Sequence, residues 1–144
     1  MTAPITAFSG EHRWLSNFWP VDVTHEGVGY SSTEAAYQAA KTEDVKIREE
    51  ISRLSAAEAK RFGKRVTLRR DWESVKVSVM RDLLRLKFAV PDLRERLLAT
   101  GDAQLVEGNW WGDRFWGVCD GRGENHLGKL IMEIRDEIRA GGVT

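Results

Sequence analysis

Tyr30-Ser31-Ser32-Thr33-Glu34-Ala35-Ala36-Tyr37-Gln38-Ala39-Ala40-Lys41 is the stretch that decides the fold. Its first residues are β-formers and hydroxyl side chains; its last are alanines, the strongest helix formers. Upstream, Val21–Thr24 and Gly29–Tyr30 read as short strands on either side of the turn His25-Glu26-Gly27. A hairpin should therefore run straight into a helix. Ser31 and Glu34, three apart, fit a capping box that would start it.

Working outward, further helices are predicted over Val45–Ser52 and Ala56–Phe62, the latter with Ser55 and Glu58 as a capping box and Gly63 as its stop. Lys64–Leu68 reads as a strand or a loop. Asp71 is placed as the N-cap of a long helix, Trp72 to Ala89, with Val75, Val79, Met80, Leu83 and Leu86 on its apolar face. Pro91 opens the next helix, which ends at Gly101. Gln104–Val106 and Phe115–Cys119 read as strands. Asn125–Ala140 reads as a last helix with Leu127, Leu130, Ile131, Ile134 and Ile138 inward. The expected class is α+β: a compact single domain over 1–144, mostly helices packed around a few short strands.

The composition narrows the function. Lys plus Arg and Asp plus Glu both total 22, so the formal net charge is zero, whereas a protein that grips long nucleic acid is usually basic. One cysteine, Cys119, excludes an internal disulfide. No signal-peptide pattern or membrane-length apolar run stands in the chain, so a cytoplasmic setting and no membrane partner are expected. Histidines 12, 25 and 126 lack ligand-like spacing, so no metal and no cofactor are expected. Six tryptophans are many for this length. They are either a Trp-rich core or stacking platforms for a flat heterocycle.

Three segments carry candidate chemistry. Glu34, Gln38 and Lys41 fall within roughly 60° on one face of the first helix. They form a stripe of acid, amide and amine on a helix small enough to be buried, unless Glu34 merely caps and Lys41 is a solvated cation at the helix end. Glu107–Gly117 sets Asp113 among aromatic rings, where a carboxylate is either poorly solvated or a turn residue that caps local amides and pairs with Arg114. Phe8–Phe18 offers Arg13 to hold a phosphate and Asn17 to bond a base edge, if Asn17 is not simply a satisfied turn residue. The basic stretch Lys60, Arg61, Lys64, Arg65, Arg69 and Arg70 is read as a solvated face.

In this order, the segments resemble the NADAR (YbiA-like) family of N-glycosidases. The likeness is carried by Leu15-Ser16-Asn17-Phe18-x-Pro20 and by Tyr30–Glu34 continuing to Tyr37–Lys41. It continues through Leu68-Arg69-x-Asp71-Trp72-Glu73, Lys87-Phe88, Leu97–Gly101 and Glu107-Gly108-Asn109. It ends in Asp113–Gly117 and Gly123-x-Asn125-x-Leu127-Gly128. The resemblance implies hydrolysis of an N–ribose bond in a small nucleotide-like substrate. That substrate would be a phosphoribosylamino-pyrimidine intermediate of riboflavin synthesis, or ADP-ribose attached to guanine in DNA. It also implies site positions at Asn17, Glu34, Lys41, Trp72 and Asp113, with Trp116 close by; periodicity alone reads Trp72 as an ordinary first-turn residue.

Cleaving such a bond needs an acid near the departing nitrogen and a carboxylate near the sugar. The catalytic set is therefore Glu34, Lys41 and Asp113, with Arg13, Asn17, Gln38, Trp72 and Trp116 contacting substrate. Which carboxylate faces the sugar is left open. So is whether Lys41 protonates the leaving nitrogen or attacks a ring-opened ribose. The rival readings are a non-catalytic ADP-ribose or nucleotide-binding module, and a structural protein whose tryptophans are core. Oligomeric state is not legible.

Overall fold

The computed structural model describes residues 2–141. The chain folds as two compact units, a middle one of Asn17–Lys87 and a terminal one built from the residues up to Ser16 and from Phe88 onward. The class is α+β, with the helices carrying most of the structure.

The middle unit opens with the predicted hairpin. β1 (Pro20–His25) and β2 (Val28–Ser32) pair antiparallel, with Val23 opposite Tyr30 and His25 opposite Val28. The two-residue turn holds Glu26 at φ 49 and Gly27 at φ 82, the left-handed pair that matches strand twist. α1 (Thr33–Ala40) follows without a linker, and all its residues are buried. Its cap is one residue later than expected: Ser32, not Ser31, accepts from Ala35 N, while Ser31 Oγ donates to the Leu54 carbonyl. Glu34 is thus released from capping.

α1 packs against β2, α2 (Val45–Ile51) and α3 (Ala56–Gly63). Asp44 caps α2 by accepting from Lys46 N, and the Ser55–Glu58 capping box opens α3 as the spacing predicts. Residues 64–70 are turn and loop, not strand. α4 (Trp72–Phe88) starts where expected, but the Asp71 carboxylate pairs with Arg69 at 2.6 Å instead of capping. Its buried face is Trp72, Met80, Leu83, Leu84, Lys87 and Phe88, while Leu86 is exposed.

In the terminal unit a 3-10 turn, Gly10–Leu15, buries Trp14 edge-on against Phe88 at 6.4 Å. α5 (Pro91–Ala99) packs on α6 (His126–Arg139), and Leu127, Leu130, Ile131, Ile134 and Ile138 all point inward as read. The strand expected at Gln104–Val106 is a single bridge between Leu105 and Ile5. That expected at Phe115–Cys119 shrinks to β4 (Val118–Cys119), parallel to β3 (Gly108–Asn109). The reason is local. Asp113 Oδ1 takes the amides of Phe115 and Trp116, and their carbonyls accept from His126 N and Leu127 N at the start of α6. No ladder bonds remain for a strand. No helix among the described residues is long and apolar enough to cross a membrane.

Candidate active site

The middle unit brings five of the predicted residues together. Gln38 Nε2 donates to Glu34 Oε2 at 2.6 Å, one turn away on α1. Both side chains are buried, so the bond stands in a water-poor setting where it is strong and costly to break. Gln38 Oε1 is buried without a partner. It lies where Gly63 of α3 would carry a side chain: a Cβ there would sit 1.8 Å from Oε1. The glycine is demanded by this close approach. The helix-stop reading of Gly63 is corrected on the same ground, because α3 includes it and ends in an ordinary helical Lys64.

Lys41 closes α1 as its C-cap residue, and its Nζ lies 5.8 Å from the Tyr37 ring centroid. Burial lowers its pKa below the ordinary lysine value, the Glu34 charge opposes that shift, and Lys60 and Lys76 add to it. Tyr37 also meets Trp72, with ring centroids 5.1 Å apart. Trp72, buried at the first position of α4, therefore stands in one aromatic wall with Tyr37 beside the amine. Arg69 N donates to the Lys41 carbonyl at 2.7 Å, which pins the chain leading into α4 to the end of α1.

Asn17 belongs to this cluster as a satisfied residue, the alternative reading of its segment. Its Oδ1 accepts from Thr33 Oγ1 at 3.0 Å, its Nδ2 faces Met80 Sδ at 3.6 Å, and its carbonyl accepts from Glu34 N. The amide holds the start of α1, and with it Glu34, to α4.

The other predicted residues lie in the terminal unit. Arg13 is an exposed residue of the 3-10 turn. Asp113 is half-buried and caps its own loop, with its backbone tied to the Asn109 amide at 2.9 and 3.0 Å. The pairing expected with Arg114 is absent, because Arg114 turns to Asp120 at 3.7 Å. Trp116 is half-buried, edge-on to Phe115 at 4.9 Å and to His126 at 6.3 Å. The tryptophans divide: Trp14 and Trp72 are core, while Trp110 is 86% and Trp111 50% exposed.

A family model described as the NADAR domain matches residues 7–139. The chain belongs to the NADAR family. It is 43% identical over 137 residues to N-glycosidase YbiA of Escherichia coli strain K12, covering 90% of this chain and 84% of that one. It is 40% identical over 133 residues to a riboflavin biosynthesis protein of Vibrio vulnificus, spanning 89% of this chain but 36% of the relative's length. The NMR structure of the E. coli protein YbiA matches with a TM-score of 0.86 at 40% identity, over 98% of this chain and 88% of that one. The α+β fold is thus that of a solved NADAR relative.

Two buried polar residues, Lys87 and Asn125, stand outside the site positions read from the sequence. Lys87 is fully buried, and burial lowers its pKa to about 7. Nothing in a helical pattern marks an interior lysine, beyond its place on the Met80–Leu83–Leu84 face. Asn125, read as a helix start and as part of the Gly123-x-Asn125 motif, accepts from Glu107 N and donates to the Leu105 carbonyl, tying the 105–107 segment to α6.

Proposed function

We propose that this chain is an N-glycosidase that hydrolyses the N–ribose bond of a phosphoribosylamino-pyrimidine, the class of intermediate met in riboflavin synthesis. The observation that carries the reading is the buried Glu34–Gln38 pair, with half-buried Lys41 at the end of the same helix and the Tyr37–Trp72 wall beside that amine. The reaction class is that of the named N-glycosidases among its NADAR relatives, and the pathway is that named for the Vibrio vulnificus relative. A near-neutral chain also suits a small substrate better than duplex DNA.

The chemistry assigns roles. Breaking the C1′–N bond leaves positive charge on the ribose and an electron pair on the nitrogen. Glu34, accepting a hydrogen bond from Gln38, is the carboxylate that stabilises the ribose cation and orients water. Lys41, with its proton loosened by burial, donates to the departing nitrogen. Trp72 packs against the base. Asp113, Trp116 and Arg13 lie in the terminal unit, and their part in catalysis or binding is proposed from the family resemblance alone. The alternative substrate, ADP-ribose on guanine in DNA, is offered in the same assay.

The test is turnover of both substrate classes by the purified chain, read as released ribose phosphate or ADP-ribose. Glu34→Gln is expected to lower kcat about a hundredfold or more. Product without turnover loss in Glu34→Gln overturns the assignment, and saturable binding with no product favours a non-catalytic module.

A further inference from the structure

The loop that carries Asp113 is closed by side chains. Asn109 Oδ1 accepts from Asp113 N at 3.0 Å, and Asn109 Nδ2 donates to the Asp113 carbonyl at 2.9 Å. One amide therefore holds both backbone groups of one residue. Nδ2 also donates to Glu107 Oε2 at 2.9 Å, so a carboxylate behind the amide sets its orientation. Between Asn109 and Asp113 the chain makes an exposed excursion through Trp110, Trp111 and Gly112, the last at φ 88. The amide fastens that excursion at its base.

Glu107 is itself fixed. Its N donates to Asn125 Oδ1 at 3.0 Å, its carbonyl accepts from Val118 N at 2.9 Å, and Asn109 lies opposite Cys119 where β3 meets β4. Past Asp113 the bonds return to the same helix. Asp113 Oδ1 accepts from Phe115 N at 3.2 Å and Trp116 N at 2.9 Å, and the carbonyls of those two residues accept from His126 N and Leu127 N. The circuit thus leaves the start of α6 at Asn125, passes through Glu107, Asn109 and Asp113, and closes on His126 and Leu127. Gly117 is its packing counterpart. A Cβ there would sit 2.1 Å from Glu107 Oε2, 2.2 Å from the Glu107 carbonyl oxygen and 2.7 Å from Asn109 Nδ2. The Glu107–Asn109 pair fills the space that a side chain would take.

A circuit that spends a carboxylate on an amide, and the amide on one residue, holds that residue closely in place. Both loop amides fall on Asp113 Oδ1. Among the described residues Asp113 Oδ2 takes no hydrogen bond, and it is the oxygen left to meet a ligand.

We propose that Asn109, oriented by Glu107, is a positioning residue that fixes the Asp113 carboxylate for the glycosidic reaction. The inference rests on the N-glycosidase reading, with Asp113 as a carboxylate of its site, and deepens it. Asn109 acts through Asp113 and not on the substrate.

A double-variant cycle tests this, with kinetics on whichever of a phosphoribosylamino-pyrimidine and ADP-ribosylated DNA the purified chain turns over. Asn109→Ala is expected to lower kcat about tenfold or more with little change in KM, because a small displacement of a reacting group is costly. In the Asp113→Asn background the same substitution is expected to lower kcat by less than about twofold, since the group it positions is already gone. The drop in melting temperature is expected to be equal in both backgrounds, because the bonds to the residue 113 backbone survive in Asp113→Asn. A merely structural role gives the same fold-loss of kcat in both. Asn109→Asp, of the same shape, keeps the acceptor for Asp113 N and loses the donor; it carries the cycle if Asn109→Ala does not fold by circular dichroism. Equal kcat losses in the two backgrounds, or native kcat in the folded Asn109 variant, overturn the inference, and so does native kcat in Asp113→Asn. Any of these alongside turnover that is lost in Glu34→Gln leaves the N-glycosidase reading standing without Asn109. A native chain that turns over neither substrate class sinks the reading and the inference together.

Discussion

Gly63 and Gln38 together show how a backbone atom reaches into chemistry. An alanine at 63 would put Cβ 1.8 Å from Gln38 Oε1 and 2.6 Å from its Cδ. The amide is the flexible end of a side chain, so it can move, but moving it breaks the 2.6 Å bond to Glu34. Gly63→Ala also gains helix propensity of roughly 0.5–1 kcal/mol, which offsets part of the strain. The expected outcome is a change of about 1 kcal/mol or less in denaturation, with kcat down about tenfold. Gly29→Ala is the control, since its Cβ would meet only Thr24 Oγ1 at 3.9 Å; equal kinetic effects of the two would refute the linkage. Lys87 makes a different prediction. Its folded pKa, about 7, lies below the ordinary lysine value of 10.5, so the unfolded chain binds the extra proton between those limits. Stability from this group therefore rises with pH through that window and is lost as pH falls towards 7, with a slope of at most about 1.4 kcal/mol per pH unit. Urea denaturation at several pH values between 7.5 and 9.5 should show this slope in the native chain and not in Lys87→Met.

At the scale of elements, the hairpin, its turn, the Ser55 box and the inward face of α6 were legible because each depends on neighbours within a few residues. What was not legible depends on partners far along the chain. The start of α1 slipped by one residue because Ser31 finds the Leu54 carbonyl 23 positions away, leaving Ser32 to cap. The slip matters for the site. With Ser31 as cap, Glu34 would have been spent on the backbone; with Ser32, it is free to meet Gln38. In the same way, β4 lost three expected residues to a carboxylate and to the first amides of α6. The stripe Glu34–Gln38–Lys41 was readable from spacing, whereas Gly63 behind it was not, since a close approach between helices leaves no local signature. The caps can be separated experimentally. Ser32→Ala should destabilise the chain by about 1 kcal/mol through loss of the buried N-cap, and Ser31→Ala, on an exposed bond, by less. The reverse order in thermal denaturation would return the cap to Ser31.

For the whole molecule the deciding quantity is charge. Its 22 basic and 22 acidic residues cancel, so no long-range field draws a polyanion to it. A protein that neutralises 6–10 DNA phosphates loses about 10³–10⁵ in affinity between 50 and 200 mM salt, because each contact releases counterions. A site that holds one phosphate should respond far less. We therefore expect kcat/KM on the phosphoribosylamino-pyrimidine to fall by less than about tenfold over that range. The measurement is a salt series on each substrate class under identical buffer. A steep slope, with turnover on ADP-ribosylated DNA exceeding that on the small substrate at low salt, would transfer the assignment to DNA. A shallow slope on both would mean that recognition ends at the single nucleotide, whichever molecule carries it.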